Sequence, residues 1–234
     1  MNELLLHFVT PRVAKLLEEP HCAALPKVEK EVAVLFVDIE GCTRLCEKLP
    51  PQEMNELLEF YFSHFFDVIQ ELGGTVNEIM GDGFMAMFED KGPEDNTLDA
   101  VTAAATIREL LSKLKSQRSK DRYDTQVHIG VHTGTALVGF TKFQAKRWER
   151  WTYTASGPVT NIAARLCQLA HGGSILVSGE VAAVARRRYA FEYVGAQKLK
   201  NVSQLMDVYE LHTIDCRIPD QRIKITKPAP APSM

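Results

Sequence analysis

The stretch VAVLFVD, residues 32–38, is apolar at six consecutive positions, three of them valine, and ends on the carboxylate of Asp38. A continuous apolar run of that length reads as a strand buried on both faces. Outward from it, Pro50 and Pro51 punctuate the start of a helix through about Leu72, where Met54, Leu57, Leu58, Tyr61, Phe62, Phe65, Val68 and Ile69 recur at three- and four-residue spacing. Gly73 and Gly74 stop it. TVNEIMG and FMAMF then flank Gly81-Asp82-Gly83, a hairpin signal. An Ala-rich amphipathic helix follows over about Asn96 to Leu114, with Lys113, Lys115 and Arg118 toward its carboxyl end as the helix dipole favours.

Beyond that helix, TQVHIGVHT and TALVGFT read as two strands joined around Gly134, and KFQAKRWERW as a polar, basic and aromatic exposed excursion. A helix from about Gly157 to Ala170, the strand SILVS, a short helix near Glu180 to Arg187, and the strands AFEYVG and MDVYEL complete the chain. The order β-α-β-β-α-β-β-α-β-α-β-β implies a mixed α/β (α+β) domain, its helices packed on a largely antiparallel sheet. Residues 1–30 read as a short helix (Thr10 to Glu19) with a linker, residues 31–213 as one domain, and residues 214–234, Pro-rich and without apolar periodicity, as a flexible tail.

With 234 residues, 45% apolar and 24% charged, the chain has the composition of an ordinary globular domain. A net charge of −3 from 27 basic and 30 acidic residues lacks the basic footprint of a nucleic-acid binder. LLLHFVTPRVAKLL, near the start, is too short to span a membrane and is broken by His7, Pro11, Arg12 and Lys15. Without a signal-peptide pattern the chain is expected to be cytoplasmic. Cys22, Cys42, Cys46, Cys167 and Cys216 are scattered and complete no zinc set, so reduced thiols are expected. His132 and His171 read as structural.

Chemistry concentrates at a few positions. Asp38 ends a buried strand and Asp82 tips a hairpin; two hard carboxylates on neighbouring strands suit a pair of Mg²⁺ or Mn²⁺ ions gripping a triphosphate. Either alone also reads as a turn or cap residue. The turn Ile39-Glu40-Gly41-Cys42-Thr43 leads from strand to helix and presents backbone N–H groups to a phosphate, unless it is an ordinary turn. In RWTYTASGPVTNIAARL, residues 150–166, Asn161 and Arg165 stand one helical turn apart, about 6 Å between Cβ atoms. An Arg there can neutralise charge on a transferring phosphoryl group while the Asn amide orients an attacking oxygen. Taken as a pair alone, they read equally as helix-surface residues.

VLFVDIEGCTRL, NEIMGDGFMAMF, GVHTGTALVG, ASGPVTNIAARL and HGGSILVS, in this order and spacing, resemble the catalytic domain of class III nucleotidyl cyclases, the adenylate and guanylate cyclase superfamily. The resemblance implies a ferredoxin-like β-α-β-β-α-β core with extra strands and helices. It assigns Asp38, Asp82 and the Ile39 carbonyl to two Mn²⁺ or Mg²⁺ ions, and Asn161 and Arg165 to the transition state. Lys200 falls to the terminal phosphates, beside the Gly41, Cys42 and Thr43 backbone already read from the turn. It further implies a head-to-tail homodimer with shared sites, in which the aspartates of one chain face the Asn and Arg of the other. The reaction would be attack of the ribose 3′-oxygen of a nucleoside triphosphate on its α-phosphorus, with pyrophosphate leaving.

Two positions depart from the adenylate cyclase pattern. Where that group has Lys, three residues before the Gly of the Gly-Asp pair, this chain has Glu78; the partner position, often Asp, holds Thr154. A carboxylate acceptor beside a hydroxyl donor suits an imino N–H next to a carbonyl, as in guanine and uracil; adenine or cytosine fits if Glu78 takes the exocyclic amine and Thr154 donates to the ring nitrogen. Glu78 turned away onto a basic residue is the structural alternative. With only about 30 residues before the cyclase blocks, the chain is expected to carry no regulator, and it resembles the pyrimidine cyclases of bacterial antiphage signalling. That points to UTP and a cyclic UMP second messenger for a separate effector, with guanylate or adenylate cyclase activity as the alternative. A non-catalytic nucleotide-binding regulatory domain is the competing class.

Overall fold

The computed structural model describes residues 7–19, 26–117 and 125–212. The expected tail 214–234 and residues 20–25 of the linker lie outside the described residues. The elements are α1 (Pro11–Glu18), β1 (Val28–Glu40), α2 (Cys42–Cys46), α3 (Pro51–Glu71), β2 (Thr75–Met80), β3 (Gly83–Phe88), α4 (Pro93–Gln117), β4 (Gln126–Gln144), β5 (Glu149–Ser156), α5 (Pro158–Leu169), β6 (Ile175–Ser178), α6 (Gly179–Ala185), β7 (Phe191–Gln197) and β8 (Met206–Leu211).

One sheet runs β2-β3-β1-β4-β6-β8-β7, with β5 paired to β4 off that path. Among the described residues β4 and β6 form the one parallel pair. Alternation along β1 explains its unbroken apolar run. Ala33, Leu35, Val37 and Ile39 join the core beneath α3 and α4, whereas Val32 and Val34 face the opposite cluster with Tyr153, Val159 and Ala163. Tyr61 and Phe65 of α3 pack with Phe84 and Phe88 of β3, all at most 1% exposed. At about 1.5–3 kcal/mol per buried large side chain, this layer dominates the packing that holds the β1–β3 strands rigid. Helix α1 starts at a Thr10 N-cap, whose hydroxyl accepts from the Val13 N–H at 3.4 Å, and lays Val13 and Leu16 on the second cluster. No helix among the described residues is long and apolar enough to cross a membrane.

Three expectations need correction. The first strand begins at Val28, four residues before the apolar run, because the largely polar VEKE still pairs with Thr135–Val138 in the middle of β4. The two runs around Gly134 are one strand of 19 residues, in which Gly134 pairs with Val32 in regular antiparallel register. The expected excursion is exposed as read, yet it is strand-paired: β4 continues through Gln144, turns at Ala145–Trp148, where the Ala145 N–H donates to the Trp148 carbonyl at 2.9 Å, and returns as β5.

Candidate active site

Asp38 lies near the end of β1, in register with Gly83 of β3 on one side and His128 of β4 on the other. Asp82 sits in the β2–β3 turn, which Gly81 makes with a left-handed φ of 65°, a conformation costly for other residues. The turn is tied to β1 by the Ile39 N–H, which donates to the Asp82 carbonyl at 3.0 Å. A Cβ at Gly83 would lie 2.9 Å from Asp38 Oδ1 and 2.8 Å from the Val37 carbonyl, so only glycine leaves this carboxylate in place.

Burial first, and then the Asp82 carboxylate, push the Asp38 pKa up to about 6, against the opposing pull of His128. Two carboxylates held this close repel unless a cation lies between them, and their hard oxygens suit Mg²⁺ or Mn²⁺. Among the described residues no group of three or more His, Cys, Asp or Glu side chains is arranged to hold a metal ion. A cation there would therefore draw its other ligands from the Ile39 carbonyl, water and substrate oxygens, the usual pattern for Mg²⁺ with a nucleotide. The donor set fits. Glu40 Oε2 lies 2.9 Å from His128 Nε2, which holds the Glu40 carboxyl below its ordinary range.

After the turn at Gly41, Cys42 opens α2 and is buried against Asp82 and Cys46; burial, then Asp82, push its thiol well up, so it stays protonated. The side chain of Thr43 falls outside the described residues. Cys42, Cys46 and Cys167 are unbridged, while Cys22 and Cys216 are not among the described residues. His132 is buried with Nδ1 2.7 Å from Ser178 Oγ, and His171 caps a turn at the surface with Nδ1 3.2 Å from the Leu169 carbonyl.

A cleft of about 890 Å³ gathers the other candidates. Glu78 of β2, Thr154 of β5 and Asn161 in the first turn of α5 line it, with Asn77, Arg150 and Thr152. The Thr154 hydroxyl lies 3.4 Å from both Glu78 Oε1 and the Ala155 carbonyl and can donate to either, so Glu78 faces Thr154 across the cleft and is not turned away. β2 and β5 are not neighbours in the sheet; they meet because the β4–β5 hairpin folds over, with Asn77 Nδ2 donating to the Tyr153 carbonyl at 3.2 Å.

Helix α5 is seated by contact with Gly130, where a Cβ would lie 2.2 Å from the Cys167 nitrogen and 2.3 Å from the Ala163 carbonyl. Burial and the nearby Asp38 push the Cys167 thiol up to about 12. Arg165 is half-buried one turn beyond Asn161, donating from Nη1 to Gln168 Oε1 at 2.6 Å, and does not line the cleft. Lys200 is exposed on the β7–β8 loop, anchored by buried Leu199 and turned at Asn201, whose φ is 63°. The chain thus brings Asp38 to Asp82, and Glu78 to Thr154 and Asn161, while the cleft includes neither aspartate, nor Arg165, nor Lys200. Asn77, Arg150 and Tyr153 belong to the surroundings of the site without any spacing signal in the sequence.

A strand-end carboxylate facing a hairpin-tip carboxylate, on a sheet whose folded-over hairpin builds a separate polar cleft, places the fold among class III nucleotidyl cyclase domains. The adenylyl cyclase CyaB from P. aeruginosa superposes with a TM-score of 0.75 at 27% identity, covering 81% of this chain and 97% of that one. The guanylate cyclase domain of RhGC from Catenaria anguillulae, solved in complex with GTP, shares the fold with a TM-score of 0.69 at 18% identity over 80% of this chain and 99% of that one. The chain belongs to the adenylate and guanylate cyclase catalytic domain family, whose model matches residues 25–213. Adenylate cyclase 1 of Rhizobium meliloti (strain 1021) is 34% identical over 205 residues, 85% of this chain but 30% of that protein's length. The adenylate cyclase of Anabaena cylindrica is likewise matched over 30% of its length.

Proposed function

We propose that this chain converts a nucleoside triphosphate into its 3′,5′-cyclic monophosphate and pyrophosphate, at sites completed between two copies, and that UTP is its substrate. Membership in the cyclase family and the fit of the Asp38–Asp82 pair to a divalent cation support the reaction class. The Glu78–Thr154 contact at 3.4 Å, inside a cleft that also presents Asn161, is the observation behind the base. Uracil offers an N3–H for the carboxylate to accept and a flanking carbonyl for the hydroxyl to donate to.

In this reading Asp38 and Asp82 hold one or two Mg²⁺ or Mn²⁺ ions. The bound cation supplies Lewis acidity toward the ribose 3′-hydroxyl and the leaving phosphates. Asn161 donates its amide to the ribose and keeps the 3′-oxygen in line. Arg165, released from Gln168, neutralises charge on the α-phosphoryl oxygens, and Lys200 and the Gly41–Thr43 backbone take the β- and γ-phosphates. The 3′-hydroxyl gives its proton to water, the 3′-oxygen bonds to the α-phosphorus, and the bond from that phosphorus to the bridging oxygen breaks, releasing pyrophosphate. A triphosphate substrate agrees with a cytoplasmic location, and a cyclic UMP product with a separate effector in antiviral signalling.

ATP is the second reading. Relatives named adenylate cyclase favour it, with Glu78 accepting from the exocyclic amine and Thr154 donating to the ring nitrogen. Competition among ATP, GTP, UTP and CTP with Mn²⁺, reading each cyclic product, decides between them. We expect cyclic UMP in excess. A preference for ATP overturns the uracil assignment, and no pyrophosphate from any of the four overturns the enzyme in favour of a nucleotide-binding regulatory domain.

A further inference from the structure

We propose that Glu89 is a positioning residue for base selection, setting through Tyr153 where Thr154 stands opposite Glu78. The inference rests on Glu78 and Thr154 reading the base. Glu89 directly follows β3, and its side chain is 2% exposed, so its contacts are shielded from water. Three distant segments converge on it. The Tyr153 hydroxyl of β5 donates to Oε1 at 2.6 Å, Lys30 Nζ of β1 donates to Oε2 at 2.5 Å, and Arg12 Nε of α1 lies 3.8 Å from Oε1. Arg12 also reaches Asp90 Oδ1 at 3.0 Å, so α1 is pinned to the same corner. A buried carboxylate persists only with such partners, and losing one leaves a poorly solvated charge, so the corner resists displacement.

Tyr153 is held at both ends. Its hydroxyl is fixed by Glu89, its backbone carbonyl accepts from Asn77 Nδ2 at 3.2 Å, and its ring packs edge-on to Phe140 at 5.3 Å. Successive strand residues point to opposite faces, so with Tyr153 locked into the core its neighbour Thr154 is aimed into the cleft. Asn77 transmits the same constraint to Glu78, the next residue of β2. The Thr154–Glu78 separation of 3.4 Å is at the long end of hydrogen bonding, where a few tenths of an ångström decide whether the contact forms. A second cleft of about 470 Å³, between His7–Arg12 and β2, shares Asn77 and Glu78 with the first, so the base-reading strand has the N-terminal segment directly behind it.

The test is equilibrium binding of the four 3′-deoxynucleoside triphosphates, which lack the attacking hydroxyl, to the full chain with Mn²⁺. Wild type is compared with Tyr153→Phe, Glu89→Gln and Glu78→Gln. Tyr153→Phe removes only a hydroxyl and carries the test if Glu89→Gln does not fold. We expect Tyr153→Phe and Glu89→Gln each to change the ratio of best- to worst-bound base by about threefold to tenfold, the weight of one hydrogen bond. Equal weakening for all four bases marks a merely structural role and overturns the proposal. If Glu78→Gln shifts the ratio and the other two variants do not, Glu89 has no part in selection while the base-reading assignment stands. If no variant shifts it, both fall together.

Discussion

The Asp38 carboxyl is half-buried opposite Asp82, and the two circumstances bring its pKa to about 6 from an ordinary value of 3.8. The folded chain therefore keeps a proton that the unfolded chain has already released, and stability declines as pH rises between those values. Above about pH 6 the full penalty is present. Asp38→Asn removes it, so in EDTA the variant is expected to melt above wild type at neutral pH, the gap closing as pH falls toward about 4. Each kcal/mol regained raises Tm by about 2–4 °C for a domain of this size. Added Mn²⁺ should raise the wild-type Tm and leave the variant unmoved. A variant that melts lower at every pH would make Asp38 a structural residue. Both aspartates were legible in the sequence because a strand end and a Gly-Asp-Gly turn announce themselves locally. Glu89 was not: its partners Arg12, Lys30 and Tyr153 are 77, 59 and 64 residues away, and no local pattern encodes such a meeting.

At the scale of elements, α5 carries Asn161 and Arg165, and its distance from the sheet is set by Gly130, which sits under the backbone of Ala163 and Cys167. Backbone cannot step aside as a side-chain tip can. Gly130→Ala is expected to lift α5 at a cost of about 1–3 kcal/mol in chemical denaturation, with a larger proportional loss of turnover than of nucleotide affinity. Gly92→Ala is the control, because nothing stands within 4 Å of a Cβ there and its φ is not left-handed. Turnover unchanged in Gly130→Ala would mean that the seat of α5 does not govern the reaction. Amphipathic helices such as α3 were readable from periodicity, since each buries a single face. The β4–β5 pairing is not legible in the sequence, for two physical reasons. Gly134 looks like a turn residue yet lies extended within the strand, and the hairpin's outer end projects past the sheet with both faces exposed, so KFQAKRWERW has no alternation to read.

For the molecule as a whole, the candidate residues fall into two groups on one chain, the aspartate pair and the cleft of Glu78, Thr154 and Asn161, and the cleft does not include the aspartates. In the proposed reading one nucleotide is gripped by both groups across two copies arranged head to tail, each lending one group to each site, which a two-fold axis supplies for both sites at once. Asp38→Ala and Arg165→Ala should each be inactive alone, the latter losing about 10²–10³ in turnover as for removal of one donor to a developing anion. Mixed and allowed to exchange, equal amounts pair at random, so about half of the dimers are hybrids with one intact site of two, and about a quarter of wild-type activity returns. Activity per chain should also fall on dilution below the dimer's dissociation constant and recover when inactive Asp38→Ala chains are added to dilute wild type. Hybrids that form, as shown by mass or by differential tags, yet recover no activity would place all the reacting groups of one site on a single chain and remove the need for the second copy.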